Sequence, residues 1–493
     1  MKIAKAAEIP DAEVVVVGSG PNGLAAAITM ARAGCSVVVV EAEEQIGGGA
    51  RSGELTLPGF QHDLFSAVYP LGISSPFFRS LPLREHGLEW VTPAAAVVHP
   101  FDDGTAAVLE GTVEDTGRGL GDDARAYKRL VGPLAAEWQE LLDDVLAPPR
   151  LPRHWLSAMQ FGSSAFWPAE TLARADFSGE PARAFFAGNA AHSMLPLHKT
   201  FTAAFGMVLC ASGHAVGWPF AKGGAQKISD ALASYLRSLG GKVVTGTRVD
   251  SLGELPPAKV VLCDLTPRQL LKIAGERLPY LYRRMLKRYR YGIAAFKMDW
   301  ALDGPVPWRA EACRRAGTIH VGGTLKEIAQ AEWQAWRGRA PEKPFGILAQ
   351  PSLFDDTRAP SGKHVLWGYA HVPNGCTVDM SERVETQIER FAPGFRQRII
   401  GRSVMDPAQL ESRNANLVGG DINAGSPVFP QLFVRPTHKL YATPLEGVYM
   451  CSASTPPGGG VHGMCGFFAA EAALKKVFPE RVANIAPLAW GSR

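Results

Sequence analysis

The strongest patterning lies near the start of the chain. Glu13 is followed by Val14–Val17, a β-branched run without polar alternation, which predicts a strand covered on both faces as in a parallel sheet. After the turn Gly18-Ser19-Gly20-Pro21-Asn22-Gly23, the alanine-rich stretch Leu24–Ala33 reads as a helix that stops at Gly34. A second strand, Ser36–Val40, ends at Glu41. Farther on, Ala225–Leu239 carries Ile228, Leu232, Leu236 and Leu239 at helical spacing, closed by Gly240-Gly241. Strands are expected from Lys242 to Thr245, ending at Arg248–Asp250, and from Lys259 to Asp264. Near the far end, Leu445–Cys451 reads as a strand, Pro456–Gly466 as a glycine loop and Phe467–Val477 as a helix.

These elements predict an α/β protein with a Rossmann-like, discontinuous parallel sheet built from residues 11–75, 218–290 and 445–485. The remaining residues, 76–217 and 291–444, are expected to form an α+β substrate domain with an antiparallel sheet, including strands Tyr291–Trp300 and His364–His371. Trp, Phe and Pro are frequent there, which suits an apolar pocket.

Composition narrows the classes. At 493 residues with 46% apolar side chains, the chain exceeds what one core usually serves and is too apolar for disorder. Lys+Arg 51 against Asp+Glu 47 leaves +4, which argues against nucleic acid as the main partner. Seven cysteines, an odd number without a C-x-x-C pair, argue against a disulfide framework or structural zinc and for a reducing, cytoplasmic setting. The histidines show no metal-ligand spacing, the N-terminus lacks a secretory apolar core, and no window is long and apolar enough to span a bilayer.

The N-terminal spacing of strand, G-x-G-x-x-G, helix, strand and acid is a dinucleotide-binding pattern. Gly18 permits the tight turn, Gly20 lets a pyrophosphate approach the backbone, and Gly23 lets helix and strand pack closely. The amides that follow Pro21, those of Asn22 and Gly23, lie at the positive end of the helix. Glu41, 18 residues after Gly23 and next to Ala42, is placed to accept hydrogen bonds from a ribose diol and would repel a 2′-phosphate. A second glycine run, Gly47-Gly48-Gly49-Ala50-Arg51, suits a longer cofactor, with Gly48 and Gly49 along it and Arg51 as a source of positive charge. No second strand–G-x-G-x-x-G–helix unit follows, which favours FAD over NAD. The C-terminal loop Gly458-Gly459-Gly460-Val461-His462-Gly463-Met464, opening onto a helix, offers amides to the far end of a flavin, with Gly460, Val461, Gly463 and Met464 in contact.

The N-terminal unit resembles the FAD domain shared by phytoene desaturases, carotenoid isomerases and monoamine-oxidase-like enzymes. The C-terminal Pro-Gly-Gly-Gly-Val-x-Gly-x-x-Gly is similar to the phytoene-dehydrogenase-related branch. So are Gly217-Trp218-Pro219-Phe220-Ala221-Lys222-Gly223-Gly224, Phe296–Leu302, Pro351–Asp356, His371-Val372-Pro373 and Asn416–Asp421. Ser452-Ala453-Ser454 departs from that pattern, which usually has a glycine after the strand. The resemblance implies a FAD-dependent oxidoreductase that dehydrogenates or desaturates an apolar small molecule; with no nicotinamide-binding unit in the sequence, oxygen or a quinone is the expected acceptor. It also implies that Val249 backs the adenine with its main chain, an ordinary core valine being the other reading. A redox-neutral polyene isomerase and a FAD-bound scaffold protein are the alternatives.

Proton handling falls to histidines near the glycine motifs: His462 first, with His62, His192, His198 and His214 as further candidates. Arg277–Arg290, where basic residues alternate with Tyr, Leu and Met, is suited either to a solvated helix face or to resting on anionic lipid. Oligomeric state is not encoded in any motif.

Overall fold

The computed structural model describes residues 9–485. Five short strands make a wholly parallel sheet: β1 (Val14–Val17), β2 (Val37–Val40), β3 (Lys242–Val244), β4 (Val260–Cys263) and β5 (Val448–Met450). Their order is β5-β4-β1-β2-β3, in register from Val14↔Val37 and Val14↔Val260 onward. The two valine runs are buried on both faces, as a covered parallel sheet requires. All five strands fall within 11–75, 218–290 and 445–485.

Three helices matter for the site: α1 (Pro21–Arg32), α2 (Gln226–Ser238) and α3 (Met464–Val477). α1 starts with Pro at N1, where a missing N–H costs nothing, and the chain leaves it through Gly34 at φ +84°. α1 packs against both α2 and α3. The α1–α3 contact is made by glycine: a Cβ on Gly466 would lie 1.8 Å from the Asn22 carbonyl oxygen, so the two backbones touch.

The second sheet has seven strands in the order Ile399–Met405, Ala294–Leu302, His364–Val372, Gly346–Ala349, Ala316–Val321, Ala95–Pro100, Ala106–Leu109. It is mixed and not purely antiparallel, because Ala316–Val321 runs parallel to Ala95–Pro100. These strands are far apart in the chain, so no hairpin turn dictates their relative direction. The strand expected from Tyr291 begins at Ala294 and pairs in register with Val372. Arg248–Asp250 is not a strand end. Gly246, at φ +64°, turns the chain off β3, and the Thr247 amide then donates to the Glu41 carbonyl (2.8 Å), laying this segment across the sheet's edge.

Residues 76–217 are mainly helical and cover the mixed sheet, with Glu180–Ala191 and Thr202–Ala215 packed on each other. The basic stretch forms only the short helix Tyr280–Lys287, with Tyr282 and Leu286 inward and Tyr280, Leu281 and Met285 exposed. Among the described residues, no helix is long and apolar enough to cross a membrane. All seven cysteines are buried free thiols.

The α1–α3 contact leads to a stability prediction. Gly466→Ala forces the helices apart and is expected to cost about 1–3 kcal/mol or more in urea unfolding. Gly49→Ala, with open space around its Cβ position, is expected to change stability by less than about 0.5 kcal/mol.

Candidate functional site

The glycine turn after β1 closes on a buried carboxyl group. A Cβ on Gly18, Gly20 or Gly23 would come within 3.2, 2.5 and 3.1 Å of Asp264, which follows β4. Asp264 Oδ2 accepts a hydrogen bond from the Gly23 amide (3.0 Å). Gly23 is further required because a Cβ there would sit 2.1 Å from the Gly18 carbonyl oxygen. Burial, with nearby Glu41 adding to it, pushes the Asp264 carboxyl up to about 7. The turn is therefore a cradle of amides resting on a carboxyl group that gives up its charge easily.

From this turn a cavity of about 430 Å³ runs between the two sheets. Gly18, Gly20, Pro21, Asn22, Glu41, Ala42, Gly48, Gly49, Arg51, Val249, Gly460 and Val461 all line it. Gly48, at φ +52°, lies directly over Gly20, and a Cβ there would be 2.9 Å from the Gly20 Cα. A side chain at either position would fill the groove. Glu41 is buried and held in place: Oε2 accepts from the Ser19 amide (2.8 Å) and hydroxyl (2.5 Å), and Oε1 from the Glu43 amide (3.0 Å). A carboxylate has about four acceptor positions, so one remains for a ligand hydroxyl. Arg51 is locked by donating to the carbonyls of Gly48 (3.0 Å) and Arg413 (2.6 Å), with its guanidinium over the Phe65 ring.

The opposite end of the cavity is walled by Ile347, Trp367 and Tyr369 of the mixed sheet, with Phe65 and Trp218 from loop segments beside them. One charge is set into it. Lys297 is buried, paired with Asp299 and under the Trp367 ring, and burial lowers its ammonium below the ordinary value. Behind Asp299 stands His62, whose Nε2 meets the Thr56 hydroxyl at 2.8 Å.

Four of the expected site residues do not reach the cavity lining. Gly23 and Gly463 act through backbone packing, Gly463 being the left-handed N-cap of α3 (φ +71°), and Met464 is buried in the core. His462, expected to handle protons, is a structural cap: its Nδ1 accepts the Met464 amide at 3.1 Å, and the ring is buried beneath Gly460. Burial lowers its pKa to about 4, so it is neutral, and it is not among the residues that line the cavity. The other histidines are dispersed: His214 bonds the Tyr127 hydroxyl (2.7 Å), His198 is exposed, and only His192 lines the cavity. Asp264, Lys297, Arg413, Trp367 and Tyr369 were not singled out from the sequence. The isolated Lys297 and Asp299 within the apolar run Ala294–Leu302 were the one available signal.

Comparison with known proteins agrees with this geometry. Residues 16–80 match the NAD(P)-binding Rossmann-like domain family. The chain is 26% identical to pyridine nucleotide-disulfide oxidoreductase domain-containing protein 2 of Rattus norvegicus, over 94% of this chain and 93% of the relative. It is 24% identical to the phytoene desaturase (neurosporene-forming) of Rhodobacter capsulatus, over 92% and 91%. Its fold matches cyclohexylamine oxidase from Brevibacterium oxydans with a TM-score of 0.59 at 16% identity, covering 95% and 99%. The class is thus an oxidoreductase with the flavin amine oxidase-like fold.

Asp264 gives this site a pH signature. Its folded value lies above the ordinary carboxylate range, so the unfolded chain ionises first as pH rises. Stability is full below that range and is lost progressively up to about pH 7. Thermal melts of the ligand-free protein are expected to show Asp264→Asn gaining on wild type between about pH 4 and pH 7, with a flat difference above. A constant difference across that window would contradict the assignment.

Proposed function

We propose that this protein binds FAD along the cavity and dehydrogenates an apolar small molecule at the mixed-sheet end, with oxygen or a quinone as the final acceptor. The carrying observation is the single cavity that joins the glycine turn and Glu41 to a wall of Trp218, Ile347, Trp367 and Tyr369. The residues fit the group. Turn amides and the N-terminus of α1 suit a pyrophosphate, Glu41 a ribose diol, and the segment around Val249 an adenine. Gly460 and Val461, ahead of the α3 N-terminus, lie where the other end of an extended cofactor would be received. The likeness to a phytoene desaturase supports an apolar substrate.

Bound flavin would supply the hydride acceptor. The chain's own part is to bind, orient and exclude water. Glu41 orients the ribose and holds it through a charge-assisted hydrogen bond. Arg51 and Arg413 keep positive charge beside the phosphates. The aromatic wall gives an uncharged substrate shape and apolar contact. Lys297, which lines the cavity and pairs with buried Asp299, is the group placed to hold or move a proton at Nζ beside the aromatic wall.

Titration of the purified protein with FAD is expected to saturate at one molecule per chain. Glu41→Ala is expected to weaken that binding by about tenfold or more, the loss of a hydrogen bond to a charged group. Without oxygen, an apolar substrate is expected to bleach the flavin band. Failure to take up FAD in excess would overturn the reading.

A further inference from the structure

We propose that His192 and Thr318 form a polar seat in the apolar end of the cavity for the hydroxyl group of an otherwise apolar ligand, an alcohol in preference to a carbonyl compound or a hydrocarbon. The inference rests on the reading of this cavity as a substrate site and adds the chemical class that it selects.

Thr318 and His192 both line the cavity, among Trp218, Ile347 and Trp367. Thr318 is fully buried, and its hydroxyl has no hydrogen-bond partner. Buried hydroxyls are almost always satisfied, so an unsatisfied one on a cavity wall calls for a ligand or a water. His192 caps the helix Glu180–Ala191, its ring edge-on to Trp218 at 5.4 Å, and its Nε2 meets His320 Nε2 at 2.9 Å. Among the described residues no group bonds its Nδ1, which leaves that nitrogen to meet a ligand. Thr318 and His320 are two residues apart on one strand and so face the same side. The seat is therefore a single local patch.

Behind His192 stand two further buried histidines, His320 and His99. His99 Nε2 lies 2.7 Å from the Gly323 carbonyl, which can only accept, so Nε2 holds the hydrogen. His99 is neutral, lowered by burial to about 4, so its Nδ1 is a bare acceptor. His320 Nδ1 and His99 Nδ1 converge on Gly188, where a Cβ would lie 2.8 and 3.3 Å from them. Neither of these nitrogens has a hydrogen-bond partner among the described residues, so the His192–His320 contact requires only that one Nε2 donates and the other accepts. A ligand hydroxyl is donor and acceptor at once, so it can pair with His192 Nδ1 in either tautomer and with the Thr318 hydroxyl. A carbonyl can only accept, so it uses Thr318 but meets His192 only in the tautomer with hydrogen on Nδ1, and a hydrocarbon uses neither.

The test uses FAD-loaded protein and matched ligands: perillyl alcohol, perillaldehyde and limonene, with 1-dodecanol, dodecanal and dodecane as a second skeleton. Binding is read from perturbation of the flavin absorption band, without turnover. The alcohol is expected to bind about tenfold or more tightly than the hydrocarbon in at least one series, with the aldehyde between. Thr318→Val, equal in size, and His192→Gln, which keeps a polar atom toward His320, are each expected to reduce that ratio several-fold while leaving hydrocarbon affinity unchanged. Thr318→Ser is expected to restore it. Equal binding of alcohol and hydrocarbon, no binding by either alcohol, or a ratio unmoved by both variants would overturn the seat and leave its polar atoms as a water site. FAD content is measured first: loss of FAD binding overturns the cofactor reading, whereas normal FAD binding without alcohol preference overturns only this inference.

Discussion

The site depends on the contact between the first helix and the last. Gly466 has no side chain, so α3 rests on the Asn22 carbonyl at the start of α1, and the loop just ahead of α3 borders the same cavity as the α1 N-terminus. Each N-terminus has amides without helical partners and a positive end of the helix dipole. Two such ends brought together make a groove suited to a long anionic ligand, with one pole at the Gly18–Gly23 turn and the other at Gly460–Val461. Chain segments more than 400 residues apart thus contribute to one surface. Asp264, under the turn, adds a constraint from a third segment: the glycines are glycine partly because a carboxyl group occupies the space below them.

The mixed sheet is tied to this groove by polar links that a purely apolar interface would lack. Arg358 forms a buried ion pair with Asp63 (2.6 Å), and Asp63 also accepts from the Ser52 hydroxyl (2.7 Å) and the Ala225 amide (2.7 Å). Arg51 reaches the Arg413 carbonyl, and the Thr266 amide donates to Asn416 (2.9 Å). Losing one partner of a buried charged pair leaves the other uncompensated, so these links hold the aromatic wall at a fixed distance from the groove. The result is a cavity with a polar, anion-seeking end and an apolar end.

The parallel sheet and its helices were legible because their signals are local. Valine runs, glycine spacing and a helix-stopping Gly34 all act within a few residues. The site was legible where backbone shape dominates, at Gly18, Gly20, Gly48 and Gly460. It was not legible where a side chain's role depends on a distant partner. His462 has glycine neighbours that suggested reactivity, yet those glycines let its ring fold under the loop and cap α3. Asp264 looked like a strand end until the fold placed it under the turn. The parallel pairing of Ala316–Val321 with Ala95–Pro100 likewise has no local code, since both strands are buried on both faces.

Hydrogen exchange of the ligand-free protein, with and without FAD, tests the convergence of the chain ends most directly. The account predicts that FAD protects three remote segments together: amides near 18–23, near 247–250 and near 460–464. Protection confined to the first segment, or absent from all three, would contradict it.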